Sequence, residues 1–464
     1  MYKFVFFFSL WIAKFIGFLI SFLHIGQASN FPGKVVLKIK KDLIANFRFK
    51  DNCKVILVSG TNGKSTTCGL LVNILKTTGA KVIYNKSGAN LLSGIATTLC
   101  HHSSLFGKLE SDFIIFEVDE ATLQHLTSHI NPHIIAITNF FRDQLDRFGE
   151  LDTTIKLIEK GINNTKDCTL ILNADDCRVA FLQSKNIQKK LYYGLEVNSN
   201  ADNNSNNYLS APEELTKCPS CKNDLNFTNK FLAHLGNYKC TNCNLEKPFV
   251  DYLITNLKSD HLILNFDIIG LSFTSNKNNF FLPMIGVFNL YNAACAIAIA
   301  KSITNVTNVQ IQKGLQTYST IFGRGEKITT NNKTAWIYLI KNPTGTTEVL
   351  KTLINIPNSR FLIAINDNYA DGRDVSWLWD ARFDLLANHK KEIFVSGKRA
   401  SDIALRLKYA DVSINQIKAN EKIKDALNEA IKSINREETL YILPTYTVLL
   451  EMQRKRLCKN SPLS

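Results

Sequence analysis

The chain has 464 residues, of which 45% are hydrophobic and 20% charged. That composition excludes a disordered or fibrous chain and leaves room for about two to four domains. Lys and Arg exceed Asp and Glu by 15 (55 against 40), which favours anionic partners such as nucleotides, nucleic acid, acidic headgroups or anionic substrates without choosing among them.

The first predicted element is an apolar stretch running to about Ile25. It reads as a helix lying on a membrane or on the protein's own core, as an anchor, or as a signal peptide. Lys14 interrupts it at a cost that a bilayer centre makes large. The run before Lys14, about ten residues, is too short to span. A leader follows to about Asn52.

Residues 53–182 alternate short apolar runs with segments long enough for helices. Strands are predicted at "KVILVSG", "DFIIFEVDE", "PHIIAITNF" and "CTLILNADD". This alternation predicts a mostly parallel sheet covered by helices on both faces. Such sheets bind ligands at the carboxyl ends of their strands. Gly60–Ser65, Glu117–Glu120, Asn139–Asp143 and Asn173–Asp176 follow those strands and are expected on one rim.

The first of these segments, "GTNGKSTT", has the end of a nucleotide loop, but Val58 stands where the common form has its first Gly. The backbone of Gly60, Thr61, Asn62 and Gly63 would cradle phosphate at a helix start, and Lys64 would meet the terminal phosphates. Ser65 or Thr66 would hold Mg²⁺, with one or two carboxylates of "FEVDE" such as Glu117. The blander alternatives are an ordinary strand–helix turn and a solvated acidic loop.

Residues 197–210 read as an Asn-rich loop. Cys218-x2-Cys221 and Cys240-x2-Cys243 then lie eighteen residues apart. The spacing predicts a structural zinc ribbon, inserted at about 211–250, whose four thiolates leave no open metal position. Seven further Cys are scattered, several in apolar runs, as buried thiols of a reducing compartment. The α/β pattern resumes with "HLILNFDIIG" and "FFLPMIGVFNLYNAACAIAIAKSI", and a boundary is expected near 323–330. Beyond it "AWIYLIKNP", "SRFLIAIND", "EIFVSGK" and "ETLYILPTY" are strands of a second α/β domain. "NDNYADGRDVSWLWD" (366–380) follows one of them, as a functional loop or as a turn held by Asx bonds.

Loop, carboxylates and domain order together resemble the Mur ligase family, ATP-dependent enzymes that join an amine to a carboxylate. The family loop G-T-N-G-K-[ST]-[ST] matches Gly60–Thr66 and lacks the far upstream Gly. Glu117 matches the family's Mg²⁺-binding Glu. "GVFNLYNAACAIA" is similar to G-x-H-N-x-x-N-x-x-A, with Asn289 and Asn292 in the Asn positions. "FGRGE" would bring Arg324 and Glu326 to the nucleotide, and Asn342–Pro343 open the last domain. The resemblance implies an N-terminal helix and leader (1–52), a central ATP-binding domain with a parallel sheet (53–330) and a Rossmann-like α/β C-terminal domain (331–464).

The ribbon, "ITNFFRDQLDRFGE", "NDNYADGRDVSWLWD", "VSGKRASDIALRLKYADV" and "LYILPTYTVLLEMQ" resemble the branch of the family that amidates lipid II. That resemblance implies conversion of the D-glutamate α-carboxylate of the stem peptide to D-isoglutamine through an acyl phosphate. Lys64 and Glu117 would serve the chemistry, with ATP, Mg²⁺ and Zn²⁺ bound. Ammonia would come from a GatD-like glutamine amidotransferase subunit. The expected place is the cytoplasm, at the inner face of the plasma membrane, with lipid II and not nucleic acid as partner. Asp371 or Asp374 would face the partner's catalytic His.

The sequence also departs from the family. Arg142 and Asp143 replace a "D-H-L-D" type His, and Lys156 and Lys160 leave a carbamoylated Lys open. The "G-K-G-H-E" ending of amino-acid-adding ligases is absent. Two other readings are a ligase adding an amino acid to a peptidoglycan or folate precursor, and a nucleic-acid-binding zinc-ribbon ATPase.

Overall fold

A computed structural model describes residues 2–23, 30–85, 88–141, 151–186, 189–196, 217–260, 270–275, 277–318, 323–330, 333–435 and 437–457. The first half runs α1 (Tyr2–Phe22), α2 (Phe31–Ile39), β1 (Lys54–Ser59), α3 (Lys64–Lys76), β2 (Val82–Tyr84), α4 (Leu92–His102), β3 (Phe113–Glu117), α5 (Glu120–Thr127), β4 (Ile134–Ile137), α6 (Leu151–Asn163), β5 (Thr169–Asn173), α7 (Cys177–Ala180) and β6 (Lys190–Leu195). A hairpin of β7 (Leu225–Leu232) and β8 (Leu235–Cys240) follows, then β9 (Tyr252–Asp260), β10 (Gly270–Ser275), β11 (Asn278–Leu282) and α8 (Val287–Ile303).

Alternation within each strand decides the layers. Val55 and Leu57 of β1, with Ile114 and Phe116 of β3, enter one core. Ile56 and Val58, with Ile115, enter the other. A strand buried on both faces reads as a continuous apolar run, as these do. The central sheet has nine strands in the order β11-β10-β9-β6-β5-β4-β1-β3-β2. It is parallel from β9 to β2, and β10 and β11 extend it antiparallel. α3 and α8 cover one face. Residues of α1, α2, α4, α5 and α6 fill the other, with Leu43, Ile44 and Phe47 of the leader.

The second sheet has six strands: β12 (Arg324–Thr330), β13 (Lys333–Tyr338), β14 (Ser359–Ala364), β15 (Ile393–Ser396), β16 (Ile417–Ala419) and β17 (Thr439–Pro444), in the order β12-β13-β17-β14-β15-β16. β12 alone is antiparallel to its neighbour. Two helices of this half matter below, α9 (Pro343–Ile354) and α10 (Tyr446–Arg454).

Arg324–Thr330 pair with β13, Arg324 opposite Tyr338, so the second sheet begins at Arg324. "KITT" carries no turn signal that would have excluded the pairing. Most of "HLILNFDIIG" (261–269) lies outside the described residues, as do Arg142, Asp143 and the rest of 142–150.

Candidate active site

β1 ends at Ser59 and the chain turns through two left-handed glycines, Gly60 (φ 115°) and Gly63 (φ 87°), into α3. Both need to be Gly. A Cβ at Gly60 would lie 2.4 Å from Thr138 Oγ1, and one at Gly63 2.1 Å from Asn292 Oδ1. The turn is pinned from the next strand end. Thr61 N–H donates to Asn139 O (2.9 Å), Asn62 N–H to Asn139 Oδ1 (2.9 Å), and Thr138 Oγ1 to Asn62 O (2.8 Å). Thr66 follows, buried, in the first turn of α3. No side chain caps that helix, so its first N–H groups and the positive end of its dipole are left for an anion.

Two acidic groups close on this turn. Ser65 Oγ donates to Glu117 Oε2 at 2.6 Å. Lys64 Nζ is 3.1 Å from Glu120 Oε2 and also donates to the carbonyls of Gly60 and Thr61. Burial pushes the Glu120 carboxyl up, and the Lys64 charge opposes this. Glu117 is itself placed by Asn85, which accepts from Glu117 N–H and donates to Glu117 O, both at 2.8 Å. A hydroxyl and a carboxylate side by side at a phosphate turn are oxygen donors of the kind Mg²⁺ takes.

A cleft opens beside the turn, lined by Asn62, Gly63, Thr66, Phe141, Asn289, Asn292 and Arg324 among others. Asn289 and Asn292 are buried one helical turn apart on α8, and Asn292 Nδ2 donates to Asn289 Oδ1 (3.1 Å). The second half contributes Lys341, Asn342 and Glu348. Asn342 Nδ2 donates to Asn62 Oδ1 (3.2 Å), while Asn342 Oδ1 caps α9 by accepting from Gly345 N–H (2.8 Å). Glu326 accepts from Gly323 N–H (2.9 Å), which shapes the turn carrying Arg324. Burial pushes the Glu326 carboxyl up.

The four ribbon thiols converge. Cys218, Cys221, Cys240 and Cys243 place their sulfurs within 4.8 Å of one another, with closest pairs at 3.4 and 3.5 Å. Tetrahedral Zn–S bonds of about 2.3 Å set sulfurs roughly 3.8 Å apart, so the donor set fits zinc. A disulfide needs about 2.05 Å and is excluded. Within the cluster the N–H of Asn223 pulls the Cys221 thiol down to about 6, while the neighbouring sulfurs push the Cys243 thiol up to about 12.

The hairpin tip reaches the cleft. Leu232 lines it, and His234 packs edge-on against Phe141 with ring centres 4.8 Å apart. His234 Nε2 is 3.4 Å from Asp176 Oδ2, which accepts from Phe140 N–H (2.8 Å). Asp175 is buried beside it, paired with Lys247 (2.5 Å) and accepting from Tyr291 OH (2.7 Å). Asn173–Asp176 therefore do meet the rim, where they hold the hairpin.

In the loop after β14, Asp371 is buried and fully engaged. Thr447 N–H donates to Oδ1 (2.7 Å), and Thr447 Oγ1 and Asn368 N–H donate to Oδ2. Burial pushes its carboxyl up, against these bonds. Asp374 is exposed, and its Oδ1 accepts from Ser376 N–H (2.8 Å).

Comparison with known proteins places this geometry. Residues 58–243 match the family described as Mur ligase middle domain, and residues 339–449 the one described as MurT ligase C-terminal. The Streptococcus pneumoniae protein named lipid II isoglutaminyl synthase (glutamine-hydrolyzing) subunit MurT is 33% identical over 447 residues, 93% of this chain and 92% of that one. The chain belongs to the MurT branch of the Mur ligases. The Staphylococcus aureus protein of the same name is 30% identical over 92% of both chains. Among solved structures, a pseudomurein peptide ligase type C from Methanothermus fervidus superposes with a TM-score of 0.63 at 22% identity, covering 89% of this chain and 81% of that one.

Some residues of this Mur ligase site were not singled out from sequence. Glu120 looked equivalent to its neighbours in "FEVDE" until α5 turned it onto Lys64. Leu232 and His234 carry no motif, because their role depends on where the hairpin lands. Lys156 and Lys160 are exposed on α6.

Proposed function

We propose that this MurT-branch chain uses ATP to amidate the α-carboxylate of D-glutamate in the lipid II stem peptide, giving D-isoglutamine. One observation carries the reading. The two-glycine phosphate turn with its Ser65–Glu117 pair stands in a chain alike over 93% of its length to a protein named as such a synthase subunit.

A carboxylate resists amines because it is negatively charged and its oxide leaves poorly. Transfer of the γ-phosphoryl group to one carboxylate oxygen, with ADP released, removes both obstacles. Ammonia then attacks the carbonyl carbon and phosphate leaves with that oxygen. The chain's task is positioning and charge stabilisation. Gly60–Thr66 hold the phosphates, and Lys64 meets the charge of the transferring group. Ser65 and Glu117 would hold Mg²⁺, which neutralises phosphate charge. Asn289, Arg324 and Asn342 border the cleft in which the nucleotide would sit. Glu326 supports the turn of Arg324.

Ammonia is mostly protonated at neutral pH, so delivery by a GatD-like glutaminase subunit fits the chemistry. Among the described residues, the Cys outside the ribbon are buried. Burial pushes the thiols of Cys100, Cys168 and Cys295 up to about 12, the opposite of an activated nucleophile. Asp374, exposed at its loop, is the better candidate to orient the partner's His, and Asp371 holds the loop. Cys218, Cys221, Cys240 and Cys243 would hold a structural Zn²⁺. The chain would work in the cytoplasm at the inner membrane face, where a lipid-linked substrate is presented.

Incubation with partner, glutamine, ATP and lipid II tests the reading. Exchange of a hydroxyl for an amino group in the stem-peptide mass supports amidation. Gain of a whole residue would make the chain an amino-acid-adding ligase. ATP hydrolysis stimulated by DNA or RNA, and not by lipid II, would make it a nucleic-acid ATPase.

A further inference from the structure

α1 carries a face that none of the described residues covers. Phe4, Phe8, Trp11, Phe15, Phe18 and Phe22 are each 47–71% exposed. Their spacing of four, three, four, three, four puts them on one stripe along the helix. An aromatic side chain presents about 150–250 Å², so the stripe leaves on the order of 600 Å² bare, the upper end of what a monomer tolerates. Leu105 and Phe106 widen it. Both are exposed, Trp11 Nε1 donates to Leu105 O (3.0 Å), and Phe106 meets Phe7 edge-on at 6.1 Å.

The opposite face of α1 is already occupied. Phe6, Ser9, Leu10 and Ala13 are buried, and Phe6 packs edge-on against Phe47 at 5.4 Å. Lys14 Nζ donates to Ser103 O at 2.6 Å. The helix is apolar enough from Lys3 to Phe22 to cross a membrane. Crossing would strip these contacts and leave Lys14 inside the hydrocarbon, where it is costly. A helix packed on one face and bare on the other suits the plane of an interface.

Charge selects the occupant. Residues 1–41 contain six Lys and no Asp or Glu. Lys3, Lys34, Lys38 and Lys41 are exposed. A second copy of this chain would bring the same positive charge to the stripe, whereas anionic headgroups would neutralise it. We propose that α1 lies flat on an anionic phospholipid bilayer, with its aromatic stripe among the acyl-chain ends and its lysines at the headgroups.

The consequence deepens the amidation reading and rests on it. α2, packed on α1, begins beside Gly88, where Asn30 Nδ2 donates to Gly88 O (3.4 Å). Two residues on, Asn90 O accepts from Asp119 N–H (3.1 Å). One short segment thus joins the docking face to the rim of Glu117 and Glu120, so docking would hold that rim near a lipid-linked substrate.

Sedimentation of the full chain with vesicles free of lipid II tests docking apart from amidation. Phosphatidylglycerol-containing vesicles should carry the protein down, phosphatidylcholine alone much less, and high salt should weaken binding. The triple variant Phe8→Ser/Phe15→Ser/Phe18→Ser should bind about tenfold or more weakly with unchanged ATP hydrolysis. Lys34→Glu/Lys38→Glu/Lys41→Glu, which leaves the stripe intact, should lose the preference for anionic vesicles. Wild-type protein left in the supernatant would overturn the proposal. So would stripe variants that bind equally, a stripe variant that only turns a dimer into a monomer, or resistance to alkaline extraction, which would mean a spanning helix.

Discussion

Lys64 sits in a buried ion pair with Glu120 and against two loop carbonyls, so its charge is in place before any phosphate arrives. Lys64→Ala should lower amidation by about a hundredfold or more, the usual cost of removing one preorganised charge from a phosphoryl-transfer site, measured as kcat with the partner present. The aspartates of "ADGRD" should separate by assay. Asp374→Asn should abolish glutamine-driven amidation and spare the reaction driven by added ammonium. Asp371→Ala should instead lower the melting temperature, because three donors lose their acceptor at about 1–3 kcal/mol for a buried group. Two histidines set an acid limit. Burial lowers the pKa of His133, whose Nδ1 accepts from Val55 N–H (3.2 Å), and of His389. Stability from these groups is present above the ordinary value of about 6.5 and lost as the pH falls through the lowered folded value. The melting temperature should therefore drop below about pH 6.5, and His389→Phe should flatten part of the drop. At this scale Gly60–Ser65 and Glu117 were legible, because a phosphate turn constrains residue type position by position. Glu120 was not, because its partner is fixed by the helix that follows.

The four-Cys hairpin shows how an element can matter beyond its own stability. Its Cys spacing was legible, but its reach was not. Nothing in "NKFLAHLGN" announces that Leu232 will line the cleft beside Gly63 or that His234 will pack on Phe141, next to the residues that pin Thr61 and Asn62. Cys221→Ser/Cys243→Ser, or treatment with a chelator, should loosen that hairpin. Nucleotide affinity measured by calorimetry should fall several-fold while far-ultraviolet dichroism shows the main sheets intact. Unchanged affinity would reduce the ribbon to a decoration. Most strands that sequence foresaw are buried on both faces, where runs such as "KVILVS" have no competing pattern. The antiparallel edge strand "RGEKITT" went unseen, because its polar residues leave no continuous apolar run.

The molecule as a whole is two α/β units meeting over the Gly60–Ser65 turn. Asn342 spans the junction by donating to Asn62 while capping α9. Tyr446 OH of α10 lies 3.5 Å from where a Cβ at Gly88 would stand. Asn342→Ala should cost about 1 kcal/mol through the lost cap. It should also raise the KM for ATP more than it lowers kcat, because the turn loses a contact from the second unit. Amide formation through a phosphorylated carboxylate leaves an isotopic trace. Lipid II carrying ¹⁸O in both oxygens of the D-glutamate α-carboxylate is followed through one round of amidation, and the released phosphate is analysed. One labelled oxygen is expected in the phosphate for each amide formed; phosphate without label would rule out the acyl phosphate.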